Sequence, residues 1–191
     1  MDWSYELLPE TEQLILRRVA VFQGDFTIDA AAAAATDDRI NAVDIFEAIA
    51  NLAAKSLIST DISSEVTYHR LLDTTRAYAL EKLSESGESE PLARRQAEYY
   101  RDLFERAESE WEARPTAEWL GDYGRQIDNL RAALDWAFSP GGDASISVAL
   151  TAAAVPLWMH LSLIKQREAQ ADQLLGFEAR LPEVEGKTQP G

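Results

Sequence analysis

Residues 57–83 read LISTDISSEVTYHRLLDTTRAYALEKL, and the spacing of the apolar residues changes twice within this stretch. The segments LISTDI and VTYHRL are rich in β-branched and aromatic residues, which favour strands. The polar stretch 63–65 separates them, so together they predict a β-hairpin. Helical spacing then returns, with Asp73 expected at the N-cap and Gly87 at the end of the helix. The inner face of this helix is predicted to hold Ala77, Leu80 and Ser84.

Three helices are predicted before the hairpin. The first covers residues 9–21, because its apolar residues recur on one stripe and acidic residues stand near its start. Thr27 is a typical N-cap for the second helix, which is a run of alanines, the residue with the highest helix propensity. The third helix covers residues 41–54. Its inner stripe is predicted to consist of Val43, Phe46, Ile49, Ala50 and Ala53.

Beyond the polar link SESGESEP, the sequence pattern is typical of long amphipathic helices. Gly121 and Gly124 are expected to interrupt one of them. The segments ISVALTAAAVPLWMHLSL and QREAQADQLLGFEARL predict a helical hairpin, whose first member is kinked or ended by Pro156. Antiparallel helix pairs of this kind build helical solenoids, so the C-terminal half is predicted to be the start of such an array.

The composition limits the possible functions. With 18 basic and 33 acidic residues, the chain has a net charge of −15, which disfavours a global electrostatic surface for nucleic acid. The absence of cysteine excludes disulfides and thiolate chemistry from this sequence. No signal peptide and no apolar run of 18 residues are evident, and this predicts the cytoplasm and no membrane partner.

Candidate catalytic groups are few. His69 shares a strand face with Leu71, so its ring is predicted to pack in the core rather than act as a general base. His160 lies in an apolar segment, where packing is also the expected role. There is no G-x-S-x-G elbow and no metal-ligand spacing, and the tripeptide GKT at 186–188 completes no phosphate-binding loop because no strand precedes it. We expect a noncatalytic chain without a metal or cofactor of its own.

Five blocks follow one another along the sequence: DWSYELL, LRRVAVFQGDFTIDAA, LAAKSLI, HRLLDTTRAYALEKLSESGE and IDNLRAALDWA. In this order they resemble the region that follows the nucleotide-binding module in bacterial signal-transduction ATPases with numerous domains, the STAND regulators. The resemblance implies a mainly α fold, with a winged-helix domain at 1–87 and a tetratricopeptide-like segment at 88–182. The tail at 183–191 is predicted to be disordered.

The resemblance also implies that the chain is a piece of a longer bacterial regulator, often a transcriptional one. The expected partner is an upstream nucleotide-binding domain of the same protein, which would use ATP and ADP. A protein or small-molecule inducer is expected as the signal. In this setting the chain would relay the nucleotide state as a noncatalytic lid and scaffold.

The family suggests one candidate site, the junction between the hairpin and the following helix. In related regulators this junction reads L-H-D, and its histidine contacts the phosphate of the bound nucleotide. Leu72 stands at the position of that histidine and Asp73 at that of the aspartate, with Arg76 one turn later. Because leucine cannot donate a hydrogen bond, the resemblance implies a lid here but leaves direct nucleotide sensing in doubt.

The alternative is a DNA-binding winged helix with a helical dimerisation extension, since such domains often place their third helix in the major groove. Residues 27–56 carry five acidic and two basic side chains, a net charge of −3, which disfavours this contact. The paired arginines elsewhere are expected to take solvated or interdomain ionic roles. These are Arg17 with Arg18 and Arg94 with Arg95.

Overall fold

The computed structural model describes residues 5–163, and this part of the protein is mainly helical. The N-terminal elements follow one another in the predicted order of three helices, a hairpin and a helix. They are α1 (Glu10–Val19), α2 (Ile28–Ala35), α3 (Ala42–Ala54), β1 (Ile58–Asp61), β2 (Tyr68–Leu71) and α4 (Asp73–Ser86). The mainly α class is therefore confirmed, whereas the winged-helix assignment stays a prediction.

Local capping explains where several of these helices begin and end. The Thr27 side chain accepts a hydrogen bond from the Ala30 amide at 3.2 Å, as predicted for an N-cap. Asn41 and Asp44 form a reciprocal capping box at the start of α3. Gly87 ends α4 with φ of 74°, a left-handed conformation that glycine adopts without steric cost.

The hairpin has antiparallel register, with Ile58 opposite Leu71 and Asp61 opposite Tyr68. One further β-bridge joins Phe26, in the loop between α1 and α2, to His69 on the other edge of β2. The two residues exchange backbone hydrogen bonds of 2.8 Å in both directions. Both edges of β2 are therefore paired.

The C-terminal elements are α5 (Ser89–Glu110), α6 (Thr116–Tyr123), a 3₁₀ turn (Gly124–Gln126), α7 (Ile127–Ala137) and α8 (Ala144–Ala153). Of the two glycines expected to interrupt a helix, Gly124 begins the 3₁₀ turn, whereas Gly121 lies within α6. The chain divides into a compact unit, Met1–Val155, and a second unit that starts at Pro156. The described residues of the second unit belong to α9 (Val155–Leu163). The break lies at Ala154, two residues before Pro156.

The core of the first unit is continuous from α1 to α8. Phe22 stacks on Phe26 with ring centroids 4.8 Å apart and meets Tyr100 of α5 edge-on at 6.4 Å. Each such side chain contributes about 1.5–3 kcal/mol through burial. The other large side chains with almost no exposed surface include Ile15, Ile45, Ile49, Leu52, Leu92, Phe104, Trp119 and Leu130.

Two predicted helix faces were wrong. In α3 the buried residues are Ile45, Ala48, Ile49 and Leu52, so only Ile49 of the five predicted residues is buried, and Val43 and Phe46 are 64% and 59% exposed. Both stripes have helical spacing, and packing against other elements decides between them. In α4 the buried residues are Thr75, Ala79 and Leu83. The apolar residues of α4 are spread around the helix, so the sequence does not select one face.

The role predicted for Asp73 was also wrong. The N-cap of α4 is Leu72, whose side chain cannot accept a hydrogen bond, and Asp73 is the first helical residue. In that position its carboxylate can interact favourably with the positive end of the helix dipole.

Within residues 5–163 no single helix is long and apolar enough to cross a membrane. Two consecutive helices, Ala144–Ala153 and Val155–Leu163, satisfy length and composition criteria only when taken together. The second predicted helix of the C-terminal hairpin, the GKT tripeptide and the tail at 183–191 lie outside the described residues.

Candidate functional site

The predicted lid junction lies where β2 leads into α4. Leu72 is 47% exposed and Asp73 is also exposed, while Arg76 is partly buried. The Arg76 Nε donates a 2.7 Å hydrogen bond to the carbonyl of Phe22, at the start of the loop that follows α1. Burial lowers the pKa of the Arg76 guanidinium. Of the three candidate residues, two are thus open to a partner and the third holds a loop in place.

Asn129 of α7 holds the same loop from the other side. Its Oδ1 accepts hydrogen bonds from the amides of Gln23 at 2.8 Å and Gly24 at 3.1 Å. Its Nδ2 donates to the Asp25 carbonyl at 2.6 Å. Asn129 is completely buried, so these bonds satisfy backbone groups that water cannot reach.

Further buried polar groups support Asn129. The Tyr100 hydroxyl donates to Gln126 Oε1 at 2.9 Å, and Gln96 Nε2 donates to the Asn129 carbonyl at 3.3 Å. Burial raises the pKa of the Tyr100 phenol well above its usual value, so the hydroxyl stays a donor. We call the loop Gln23–Asp25 with Asn129, Gln126 and Tyr100 the Asn129 junction. The loop takes part through its backbone groups, and the three side chains that bind it or support it, Asn129, Gln126 and Tyr100, are uncharged at neutral pH.

A second junction is ionic. Arg18 of α1 is only 1% exposed, and it donates to the Ala35 carbonyl at 2.8 Å, to Asp37 at 2.6 Å and to Glu88 at 2.5 Å. Arg17 also binds Glu88, at 3.1 Å, and the exposed Arg39 reaches the same carboxylate at 3.2 Å. We call these five side chains, Arg17, Arg18, Asp37, Arg39 and Glu88, the Arg18 junction. It ties α1 and the loop after α2 to the turn between α4 and α5.

The carboxylates of the Arg18 junction have perturbed acidities. Hydrogen bonding to Arg18 lowers the pKa of Asp37 far below its usual range. Burial pushes the pKa of Glu88 up, but hydrogen bonds and charge from Arg18 and Arg17 outweigh this and lower it on balance. Both carboxylates therefore remain ionised at neutral pH, and the ion pairs are formed there.

His69 is buried, as predicted. Its Nδ1 lies 3.1 Å from Thr60 Oγ1, and its ring centroid lies 6.0 Å from that of Phe26. Burial lowers the pKa of the His69 imidazole, so the neutral form is favoured. These contacts fit a packing role in the hairpin. Within the described residues, no group of three or more histidine, aspartate and glutamate side chains could hold a metal ion.

Two large exposed apolar side chains of the N-terminal half lie together on one face of α3. Val43, Phe46 and Ala50 are exposed at spacings of three and four residues, and Glu47 lies beside them. No basic residue lies within α3. This surface, which we call the α3 face, is apolar and acidic, a character that suits protein contact and opposes contact with phosphate.

The role of Leu72, Asp73 and Arg76 at a lid stays a prediction, and sequence reasoning missed Asn129 and the depth at which Arg18 is buried. A signal for Asn129 was present, since the block IDNLRAALDWA places an amide inside an apolar stripe. Arg18 gave a weaker signal, because only the fold brings Glu88 within reach, 70 residues away in sequence.

No protein-family model matches the chain, and no solved structure matches it. Two proteins, one from Mycobacterium bovis and one from Mycobacterium tuberculosis, are each 35% identical to it over 172 residues. Both are provisionally named HTH-type transcriptional regulators. An uncharacterised protein of Mycobacterium tuberculosis is 38% identical over 96 residues, which are 50% of this chain and 24% of that protein.

The match to the two named regulators covers 83% of this chain but only 18% of each regulator. Most of their length therefore lies outside the matched segment. The chain is therefore similar, over most of its own length, to one segment of mycobacterial proteins that carry the name of HTH-type transcriptional regulators.

Proposed function

We propose that this chain is a noncatalytic regulatory segment of a transcriptional regulator, in which a winged-helix lid and a tetratricopeptide-like scaffold move as one body against another domain of the same protein. The observation that carries the proposal is the α3 face. Val43 and Phe46 are exposed on a helix that contains acidic residues and no basic ones. Apolar surface of this kind is typical of a protein-binding surface.

The rigidity that such a role requires is supported by the two junctions. The Asn129 junction and the Arg18 junction both connect the first four helices to the helices that follow. A domain that lacked such contacts would be expected to move independently of its neighbour. Because Asn129 and Arg18, the central residues of the two junctions, are buried, we expect a displacement of the α3 face to be transmitted to α5 and α7.

A second part of the proposal identifies the partner. Following the resemblance to STAND regulators, we propose that the α3 face and the exposed Leu72 and Asp73 contact an upstream nucleotide-binding domain, and that exchange of ADP for ATP changes that contact. Leu72 would supply apolar contact rather than a hydrogen bond to phosphate. The switch would then depend on which nucleotide state of the partner binds this surface better.

The test is a binding measurement with the domain encoded upstream in the natural gene. The two polypeptides are titrated by calorimetry in ADP and in ATP. We expect Phe46→Asp to weaken binding at least about tenfold, because a buried aromatic contact is replaced by a charge. Phe138→Asp is the matched control, since Phe138 is 68% exposed and lies at the C-cap of α7, away from the α3 face in sequence. Unchanged binding by Phe46→Asp, or the lack of a phosphate-binding loop upstream, would contradict the proposal.

A second candidate is favoured by the names of the mycobacterial relatives: a DNA-binding winged helix with a helical dimerisation extension. Its basic side chains would have to come from outside α3. The candidates are Arg70 of β2 and Arg125 of the 3₁₀ turn. However, Asp25 lies 3.6 Å from Arg70 and Asp61 lies 2.9 Å from Arg125. These pairs reduce the positive charge that is available for phosphate.

Titration of the chain with duplex DNA over a series of salt concentrations separates the two candidates. A regulatory segment should show no saturable binding at physiological ionic strength. DNA binding that weakens linearly with the logarithm of salt concentration, and that Arg70→Gln with Arg125→Gln removes, would favour the second candidate. Arg101→Gln serves as the control, because Arg101 lies on α5 and pairs with its neighbour Asp102.

A further inference from the structure

A cleft of about 250 Å³ lies between the hairpin, the start of α2, and the helices α5 and α6. It shares Gln126 with the Asn129 junction and Thr27 with the N-cap of α2, but neither of those features uses its other lining residues. Three tyrosines line it, Tyr68 from β2, Tyr99 from α5 and Tyr123 from α6. Tyr68 and Tyr123 are 5% and 8% exposed, so most of each ring is held by the protein and only a small part faces the cleft.

The charges along the cleft are of both signs. Glu110 and Asp122 lie on one side, and Arg114 binds both of them, at 3.1 Å and 2.6 Å. The Tyr123 hydroxyl donates to Glu110 at 2.9 Å, and this contact contributes, after burial, to a Tyr123 pKa raised to about 12. These two carboxylates are therefore already satisfied by the protein.

Asp29 and Arg106 differ from them. Both line the cleft, Asp29 from the first turn of α2 and Arg106 from the C-terminal part of α5. Among the described residues, neither takes part in an ion pair. Both lie close enough to Tyr99 to act on its phenol: burial raises its pKa, Asp29 adds to this increase and Arg106 opposes it. One anion and one cation thus face the same aromatic cleft without partners of their own.

We propose that this cleft binds a small zwitterion with an apolar side chain, of the class of a free amino acid. Its carboxylate would bind Arg106, its ammonium group would bind Asp29 and the face of Tyr99, and its side chain would lie against Tyr68 and Leu103. A simple amine would leave Arg106 without a partner, and a simple carboxylate would leave Asp29 without one. Only a ligand with both charges satisfies the two groups at once.

The size of the cleft fits this class. Sites for drug-sized ligands begin at roughly 300 Å³, so a volume just below this limit suits a molecule of about a dozen non-hydrogen atoms. For a ligand of that size a dissociation constant on the order of 1 mM is expected. The site joins the hairpin to α5 and α6, so an occupant would contact both halves of the first unit. The inference does not rest on the proposed function, because binding to the isolated chain tests it directly.

The test uses three probes that differ only in charge: L-phenylalanine, 3-phenylpropionate, which lacks the ammonium group, and 2-phenylethylamine, which lacks the carboxylate. Each is titrated into the ¹⁵N-labelled chain, and amide shifts are followed for residues that line the cleft. We expect saturable shifts with L-phenylalanine and binding about tenfold weaker for each of the other two. Equal binding of all three, or no saturable shift with L-phenylalanine, would overturn the proposal.

Two variants assign the charges. Arg106→Gln should weaken binding of L-phenylalanine to that of 2-phenylethylamine, and Asp29→Asn should weaken it to that of 3-phenylpropionate. Both residues are exposed, so neither change is expected to unfold the chain. Arg101→Gln, on the same helix but outside the cleft, should leave the affinity unchanged. If Arg106→Gln and Arg101→Gln bind L-phenylalanine equally well, the assignment is wrong.

Discussion

The Asn129 junction and the Arg18 junction connect the same two groups of helices with different chemistry. In the first, one uncharged amide satisfies three backbone groups of the loop Gln23–Asp25. In the second, a buried guanidinium is shared between two carboxylates that are partly exposed to water. A neutral network holds a fixed geometry at any moderate pH, whereas an ionic one depends on the protonation of its acids. The chain therefore combines a constant connection with one that responds to solution conditions.

The largest expected effect is that of Arg18→Ala. The substitution leaves Asp37 and Glu88 without their buried partner and opens a cavity beside Ala35, so we expect a loss of about 3 kcal/mol in the free energy of unfolding. Urea denaturation followed by circular dichroism measures it. Arg39→Ala is the matched control, because Arg39 binds the same two carboxylates but has a side chain that is 66% exposed. A similar loss in both variants would show that burial of Arg18 is not the reason.

The next effect tests the neutral connection. Asn129→Ala removes the partner of the Gln23 and Gly24 amides and of the Asp25 carbonyl, and we expect a loss of about 2 kcal/mol. Hydrogen exchange at the Gly24 amide should also become faster. Asn51→Ala, at an exposed position of α3, should change stability by less than about 0.5 kcal/mol. Unchanged exchange at Gly24 would contradict the role assigned to Asn129.

A smaller effect is expected from Tyr100→Phe, which removes one hydroxyl and keeps the ring in the core. The Gln126 Oε1 loses a 2.9 Å hydrogen bond but keeps a contact to Asn129 Nδ2 at 3.4 Å. We expect a loss of about 1 kcal/mol. Tyr99→Phe, at the neighbouring position on the same helix, serves as the control. If Tyr100→Phe costs as much as Asn129→Ala, the network is more cooperative than its separate bonds suggest.

The smallest expected effect is a pH dependence of the free energy of unfolding, which distinguishes the Arg18 junction from the Asn129 junction. The folded protein holds the pKa values of Asp37 and Glu88 below their unfolded values. Their contribution is therefore complete above a pH of about 4.5 and is lost as the pH falls through the folded-state values. When the pH is lowered from about 5 to about 3, the free energy of unfolding should fall less for Glu88→Gln than for the unsubstituted chain. Urea denaturation at each pH measures it. Glu85→Gln, at an exposed pair with Lys82, should follow the unsubstituted chain.

The helices, the hairpin and their order could be predicted from sequence because the signals are local. Thr27 caps a helix and Gly87 ends one through contacts within a few residues. The face that a helix buries is not local information. Val43 and Phe46 were assigned to the core with Ile49 because their spacing is helical, but Ile45 and Leu52 have equally helical spacing with Ile49, and α3 packs against α1 through this other stripe.

The same distinction applies to the candidate sites. Leu72, Asp73 and Arg76 could be placed at a strand-to-helix junction from the sequence, since hairpin and helix follow directly. The contact between Arg76 and Phe22, and those between Asn129 and Gln23, could not, because they join residues 54 and 106 positions apart. The cleft could not be predicted either, because its lining comes from the hairpin, α2, α5, α6 and the 3₁₀ turn, which are far apart in sequence.

The bridge between Phe26 and His69 limits where the hairpin can gain or lose residues. It occupies the edge of β2 that the hairpin itself leaves open, so another chain could add a strand only beside β1. The tip between Asp61 and Tyr68 takes no part in this pairing. Insertions and deletions among homologous chains should therefore accumulate at the tip, while the base of the hairpin keeps a constant length.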